Sequence, residues 1–117
     1  MTLHDDLKNL WDVLPEGIRL MMRRNTDGTY ATWDGGGTCQ LSLESASALL
    51  CHAAMEWLIA EGYYVGTEYN RPYGDTPKWY AHFEKIASPT RHETVMADSL
   101  PAALAAAVKA VKEWRAE

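Results

Sequence analysis

Apolar residues recur at helical spacing in three stretches of the chain, and apolar and polar residues alternate at strand spacing between them. Over residues 2–13, Leu3, Leu7, Leu10, Trp11 and the following Leu14 fall on one stripe, which predicts an amphipathic helix. Thr2 with Asp5 three positions on offers a capping box, and Pro15-Glu16-Gly17 ends the element. Residues 18–24 alternate, with Ile18, Leu20 and Met22 on one face and Arg19, Met21 and Arg23 on the other, as a strand requires. Asn25-Thr26-Asp27-Gly28-Thr29 is a hairpin turn, because Asp-Gly supplies left-handed backbone cheaply. Residues 30–34 are the return strand, Gly35-Gly36-Gly37 a flexible joint, and residues 39–41 a short extension of the sheet.

The best-defined helix covers residues 42–61. Ser42 or Ser45 caps it, Glu44 sits in its first turn and Gly62 stops it. Its apolar face is Ala46, Leu49, Leu50, Ala53, Ala54, Trp57 and Leu58, small enough in places to lie close to a sheet. Strands follow at 63–69, 78–86 and 92–97, separated by a loop at 70–77 and a turn at Ser88-Pro89-Thr90. Asp98 or Ser99 caps a last helix, whose stripe is Leu100, Leu104, Ala107, Val108, Val111 and Trp114, with Lys109, Lys112 and Arg115 near its end. The predicted order is α-β-β-α-β-β-β-α. Short turns between consecutive strands imply antiparallel pairing, so the expected architecture is α+β. It is a single domain over residues 1–117, with an antiparallel sheet of about four to five strands packed with helices.

Composition narrows the function. The 117 residues are 47% apolar and 23% charged, as in an ordinary globular domain. A net charge of −5 gives no general attraction to nucleic acid or to an anionic membrane. No apolar run is long enough to span a bilayer, and the first residues lack the pattern of a signal peptide, so a cytoplasmic location is expected. In that compartment Cys39 and Cys51 are expected as free thiols, buried or half-buried.

The aromatic residues are unevenly placed. Six of the twelve Phe, Trp and Tyr residues fall between Tyr63 and Tyr80, five of them Tyr. Tyrosine mixed with Arg, Asn, Gly and Asp suits a contact surface, since it offers stiff amphipathic area at low entropic cost. The loop carrying Tyr69, Arg71 and Tyr73, stiffened by Pro72 and Pro77, is the favoured docking site, with Trp79 beside it. The plainer alternative is a hairpin loop whose tyrosines fold back on the core. Arg19, Arg23 and Arg24 with Tyr30 and Trp33 form a basic–aromatic hairpin, suited to a protein interface or to single-stranded nucleic acid; the acidic balance argues against the latter. Arg23 and Trp33 are the partner-binding candidates taken from it.

Sites for catalysis are weaker. His82 and Glu84 share a strand face, and a hairpin partner brings His92 or Glu93 alongside, as a metal site would need; an exposed polar sheet face explains the same residues. Cys51 and His52 are adjacent on a helix and point about 100° apart, so they do not make a nucleophile and base, whereas His52 and Glu56 can pair. Gly35-Gly36-Gly37-Thr38 lacks the Lys of a phosphate-binding loop. No cofactor, metal or catalytic residue is therefore expected.

From Ser42 on, the chain resembles small bacteriophage and prophage proteins of the phage ABA-sandwich type. The residues that carry the likeness are the Ala-rich helix ending Trp57-Leu58-Ile59-Ala60-Glu61-Gly62-Tyr63, the strand Trp79-Tyr80-Ala81, and the closing Asp98-Ser99-Leu100-Pro101-Ala102-Ala103-Leu104. Residues 17–37 have no counterpart in that pattern. The resemblance brings no catalytic residue. It implies a protein that binds and blocks host machinery, including defence systems such as CRISPR complexes. The expectation is thus a non-catalytic blocking protein whose partner is a host protein or complex. A small-molecule or nucleotide binder, stacking its ligand on Tyr63, Tyr69 or Trp79 with Arg71 or Arg23 on a phosphate, is the alternative. A homodimeric accessory protein binding nucleic acid through the Arg/aromatic hairpin is another, since exposed aromatics also serve self-association.

Overall fold

Thr2 opens the first helix as predicted. Its side chain accepts from the Asp5 backbone at 3.2 Å, and Asp5 Oδ2 accepts from the Thr2 backbone at 3.2 Å, closing the capping box of α1 (Leu3–Val13). The computed structural model describes residues 2–16, 22–33, 37–70 and 76–116, the side chains of 88–91 and 116 excepted. β1 (Met22–Arg24), β2 (Tyr30–Trp33) and β3 (Thr38–Leu41) follow, then α2 (Leu43–Ala60), β4 (Tyr63–Asn70), β5 (Lys78–Lys85), β6 (Ser88–Ala97) and α3 (Leu100–Ala116).

The strands form two antiparallel three-stranded sheets, β1-β2-β3 and β4-β5-β6, where one sheet was expected. The residues read as a short extension are a full third strand: Leu41 pairs Tyr30 and Thr38 pairs Trp33. The order is accordingly α-β-β-β-α-β-β-β-α. Each sheet is a meander of consecutive strands, and the 18 residues of α2 carry the chain from one to the other. The turn placed at 88–90 lies instead at Ile86 and Ala87, and β6 begins at Ser88. Gly62 halts α2 with a φ of +92°, and Lys85 Nζ donates to the Glu61 carbonyl at 2.8 Å.

The three described helices pack on one another. The second sheet lies on α2 and α3, and the first on α2. One apolar core runs through all of them, with Leu7, Leu10, Tyr30, Leu50, Leu58, Phe83, Leu104 and Val108 buried. Trp11 meets Tyr30 edge-on at 5.7 Å, tying the first sheet to α1, and Trp114 lies 5.5 Å from Phe83, tying α3 to β5. Leu49, assigned above to the buried face of α2, is 40% exposed, because the helix turns its Ala46–Leu50–Ala54–Trp57 stripe inward. Cys39 is exposed and Cys51 buried, both as free thiols. The exposed position of Cys39 corrects the expectation that both are covered. Cys39 falls on the outer strand of the first sheet, which lies against fewer partners than the helix carrying Cys51.

Candidate functional site

Period-two alternation gives β4, β5 and β6 two unlike faces. Tyr63, Val65, Ala81, Phe83 and Val95 point toward the helices and join the core. The opposite parity points away from them: Tyr64, Gly66 and Glu68 on β4, Tyr80, His82 and Glu84 on β5, and His92, Thr94 and Met96 on β6. Register sets these nine residues in three rows across the sheet, Tyr64–Glu84–His92, Gly66–His82–Thr94 and Glu68–Tyr80–Met96. Tyr64 is 66% exposed and Met96 56%, so this face is open to solvent.

The middle row is held by hydrogen bonding and is tied to the Glu68–Tyr80–Met96 row by ring contact and charge. His82 Nδ1 lies 2.8 Å from Thr94 Oγ1, and its Nε2 lies 3.6 Å from Glu68 Oε2. The Tyr80 ring runs nearly parallel to His82, at 6.3 Å and 7°. Gly66 has no side chain to fill the space between Tyr64 and Glu68. A Cβ built there meets nothing within 4 Å. The result is a shallow depression of about 460 Å³ over Gly66, walled by Tyr64, His82, Glu84, His92 and Thr94. Lys78, on the same parity, is turned to an ion pair with Asp98, which holds the Asp98 carboxyl below its ordinary value.

The residues picked from sequence fall elsewhere. Tyr69 and Trp79 are register partners with ring centroids 5.0 Å apart. They lie on the helix-facing parity, at the end of the sheet; Trp79 packs against the core while Tyr69 is 58% exposed. Arg71 and Tyr73 lie outside the described residues, as does Arg19. Trp33 is 61% exposed on the first sheet, and Arg23, on the same face, donates from Nε to Asn25 Oδ1 at 3.0 Å. Arg24 and Tyr30 face the other way, with the Arg24 guanidinium 6.0 Å from the ring centre of the buried Tyr30. The basic–aromatic hairpin is therefore divided between two faces, because neighbours along a strand cannot share one. Tyr63, considered as a stacking platform for a small molecule, is buried between Phe83 and Trp114.

The metal candidates converge only in part. Glu84 is the register partner of His92, and His82 shares their face, but His82 is turned to Thr94 and Glu68. Among the described residues no group of three or more His, Cys, Asp and Glu is placed to hold a metal ion. Burial pushes the Cys51 thiol up to about 11, the reverse of an activated nucleophile. His52 pairs with Glu56 at 2.9 Å on the helix surface, as its spacing implies. No helix of the described residues is long and apolar enough to cross a membrane.

Sequence reasoning passed over Tyr64, Gly66, Tyr80 and Met96. Their signal was the even parity of 64–68 and 80–84, but alternation does not say which parity meets the helices. Comparison with protein-family models, curated proteins and solved structures finds no match to this chain.

Proposed function

We propose that the chain is a non-catalytic binding protein that docks on a host protein through the open face of β4-β5-β6 and blocks it by occlusion. The observation that supports this reading is a whole sheet face turned away from the helices, with Tyr64 and Met96 more than half exposed and Tyr80 and His82 set between them. Tyrosine and methionine exposed together are costly as plain surface and productive at an interface. Tyr69, exposed and tilted against Trp79 at the end of the sheet, belongs to the helix-facing parity and lies outside this docking face. A net charge of −5 suits a partner with a basic surface, where opposite fields speed encounter. The likeness of residues 42–115 to small phage proteins adds a bacterial setting: a host complex that handles nucleic acid, a CRISPR-type defence complex being the most concrete version.

The test is capture of a partner by tagged protein from a bacterial lysate, identification of that partner, and reconstitution with the purified component. Wild-type protein is expected to form a stoichiometric complex and to inhibit the partner's activity. Tyr64→Ala combined with Met96→Ala is expected to weaken the complex by about 100-fold, the loss of two interface anchors. A reconstituted complex that the double substitution leaves intact would overturn the assignment of this face. If no stoichiometric partner is found, the blocking reading fails.

A further inference from the structure

We infer that the depression over Gly66 receives an arginine side chain of the partner. The inference rests on the docking reading for the partner being a protein, and it names the chemistry of that partner's central contact. Three features of the site converge on a guanidinium.

The first is Gly66 itself. It sits within β4, where glycine weakens a strand, and it is not among the glycines with positive φ. Backbone conformation therefore does not call for glycine, and the empty space above it does not either. Close approach of another group to the strand backbone is what this residue permits. The second is charge. Glu84 makes no polar contact among the described residues, and Glu68 stands one row beyond Gly66 with its carboxylate 3.6 Å from His82. The lysine on this face, Lys78, is already paired with Asp98. Among the described residues, the depression thus offers a carboxylate without a counter-ion. The third is shape. Tyr64 presents a ring beside Glu84 in the same row, and the His82 ring lies across from Gly66.

A guanidinium is planar, stacks on aromatic faces and takes a carboxylate in a two-pronged bond, so it uses ring and carboxylate together. An ammonium is a compact, strongly hydrated charge and uses the ring less well. A phosphate or carboxylate would meet Glu84 and be repelled. An exposed arginine contact is weak on its own, so the contact sets register and specificity within the larger face.

The experiment is an amide-shift titration of the ¹⁵N-labelled full chain at low salt. The probes are a capped tri-arginine peptide and its tri-lysine and tri-citrulline counterparts. Expected are shifts centred on Gly66, Glu84 and Thr94, tighter binding of arginine than lysine, and no binding of citrulline. Gly66→Leu, which fills the depression, and Glu84→Gln, which removes the charge, are each expected to weaken tri-arginine up to about fivefold, the upper range for an exposed ion pair. Glu44→Gln on α2 is the control and should change nothing. Both site substitutions lie on exposed strand positions, and the unperturbed amide spectrum of each variant checks its fold.

Shifts spread evenly over the acidic surface, or binding that survives both substitutions, would overturn the inference. If Gly66→Leu leaves the reconstituted host complex intact while Tyr64→Ala with Met96→Ala breaks it, the docking face stands and the arginine falls. If tri-arginine binds here and no host complex forms, the blocking reading falls and a cation site remains.

Discussion

The two cysteines show how far a residue's place decides its chemistry. Cys39 lies exposed on β3 and Cys51 is buried on α2, with Sγ 4.0 Å from Ser47 Oγ. Burial penalises the thiolate, which raises the Cys51 thiol to about 11. A thiol-specific reagent at pH 8 is therefore expected to label Cys39 promptly, and Cys51 only as fast as the protein opens; Cys39→Ser should remove the fast phase. The linkage has a definite sign. An acid whose folded value is raised holds its proton longer in the native state, so unfolding is favoured as pH climbs past the unfolded thiol value of about 8.5. The native advantage of Cys51 is present below that pH and is lost progressively up to about 11. In melts between pH 7 and pH 10, Cys51→Ala should show a shallower alkaline decline than wild type, and equal slopes would refute the assignment.

At the scale of elements, the helices are joined by polar contacts as well as by apolar packing. Ser99 Oγ accepts from the Ala102 backbone at 3.2 Å, capping α3, and donates to the buried carboxylate of Asp6 on α1 at 2.7 Å. One hydroxyl thus satisfies a helix start and a buried charge. Ser99→Ala removes both and should cost about 2–4 kcal/mol, a lost cap plus an unsatisfied buried acceptor. Ser99→Ala combined with Asp6→Ala should recover part of that loss, because no orphaned carboxylate remains. Chemical denaturation of the single and double variants reads this directly, and a single variant within 0.5 kcal/mol of wild type, about the range for surface substitutions, would show the contact to be unimportant. Lys112 likewise reaches from α3 to the Val13 carbonyl at the end of α1. Sequence reading placed Lys112 against the dipole of its own helix; the structure uses it on a neighbour, since α1 has no basic residue in its last turn.

For the whole molecule, the main fact is that one core serves both sheets. Tyr30 of the first sheet and Phe83 of the second belong to the same buried cluster as the leucines of all three helices. Neither sheet has a separate core to hold it when the helices melt. Unfolding is therefore expected to be a single transition, with far-ultraviolet circular dichroism and tryptophan fluorescence coincident. Leu50→Ala, in the middle of α2, should lower both together by about 2–5 kcal/mol. Two separated transitions would show that the first sheet unfolds by itself.

The sequence alone determined what is local. Thr2 with Asp5, Ser42 with Ser45 and Gly62 after Ala60 each act within one turn of chain, so the helix boundaries were legible to within a residue or two. The same holds for the hairpin at Asn25–Thr29, closed by its own backbone bond at 2.7 Å. Strand alternation was legible too, and with it the sharing of one face by His82 and Glu84; that His92 rather than Glu93 joins them was set by the register of β5 and β6. What only the tertiary structure decided is which neighbour each face meets. Alternation assigns residues to two parities but does not name the buried one, so Tyr63 and Tyr64 could not be told apart as core and surface. It does not name a strand's partners across a helix either, and so one sheet was expected where two meanders stand on opposite ends of α2. The open face over Gly66 exists because α2 and α3 pack on the other side of the sheet, and that choice is made by the summed packing of residues far apart in the chain.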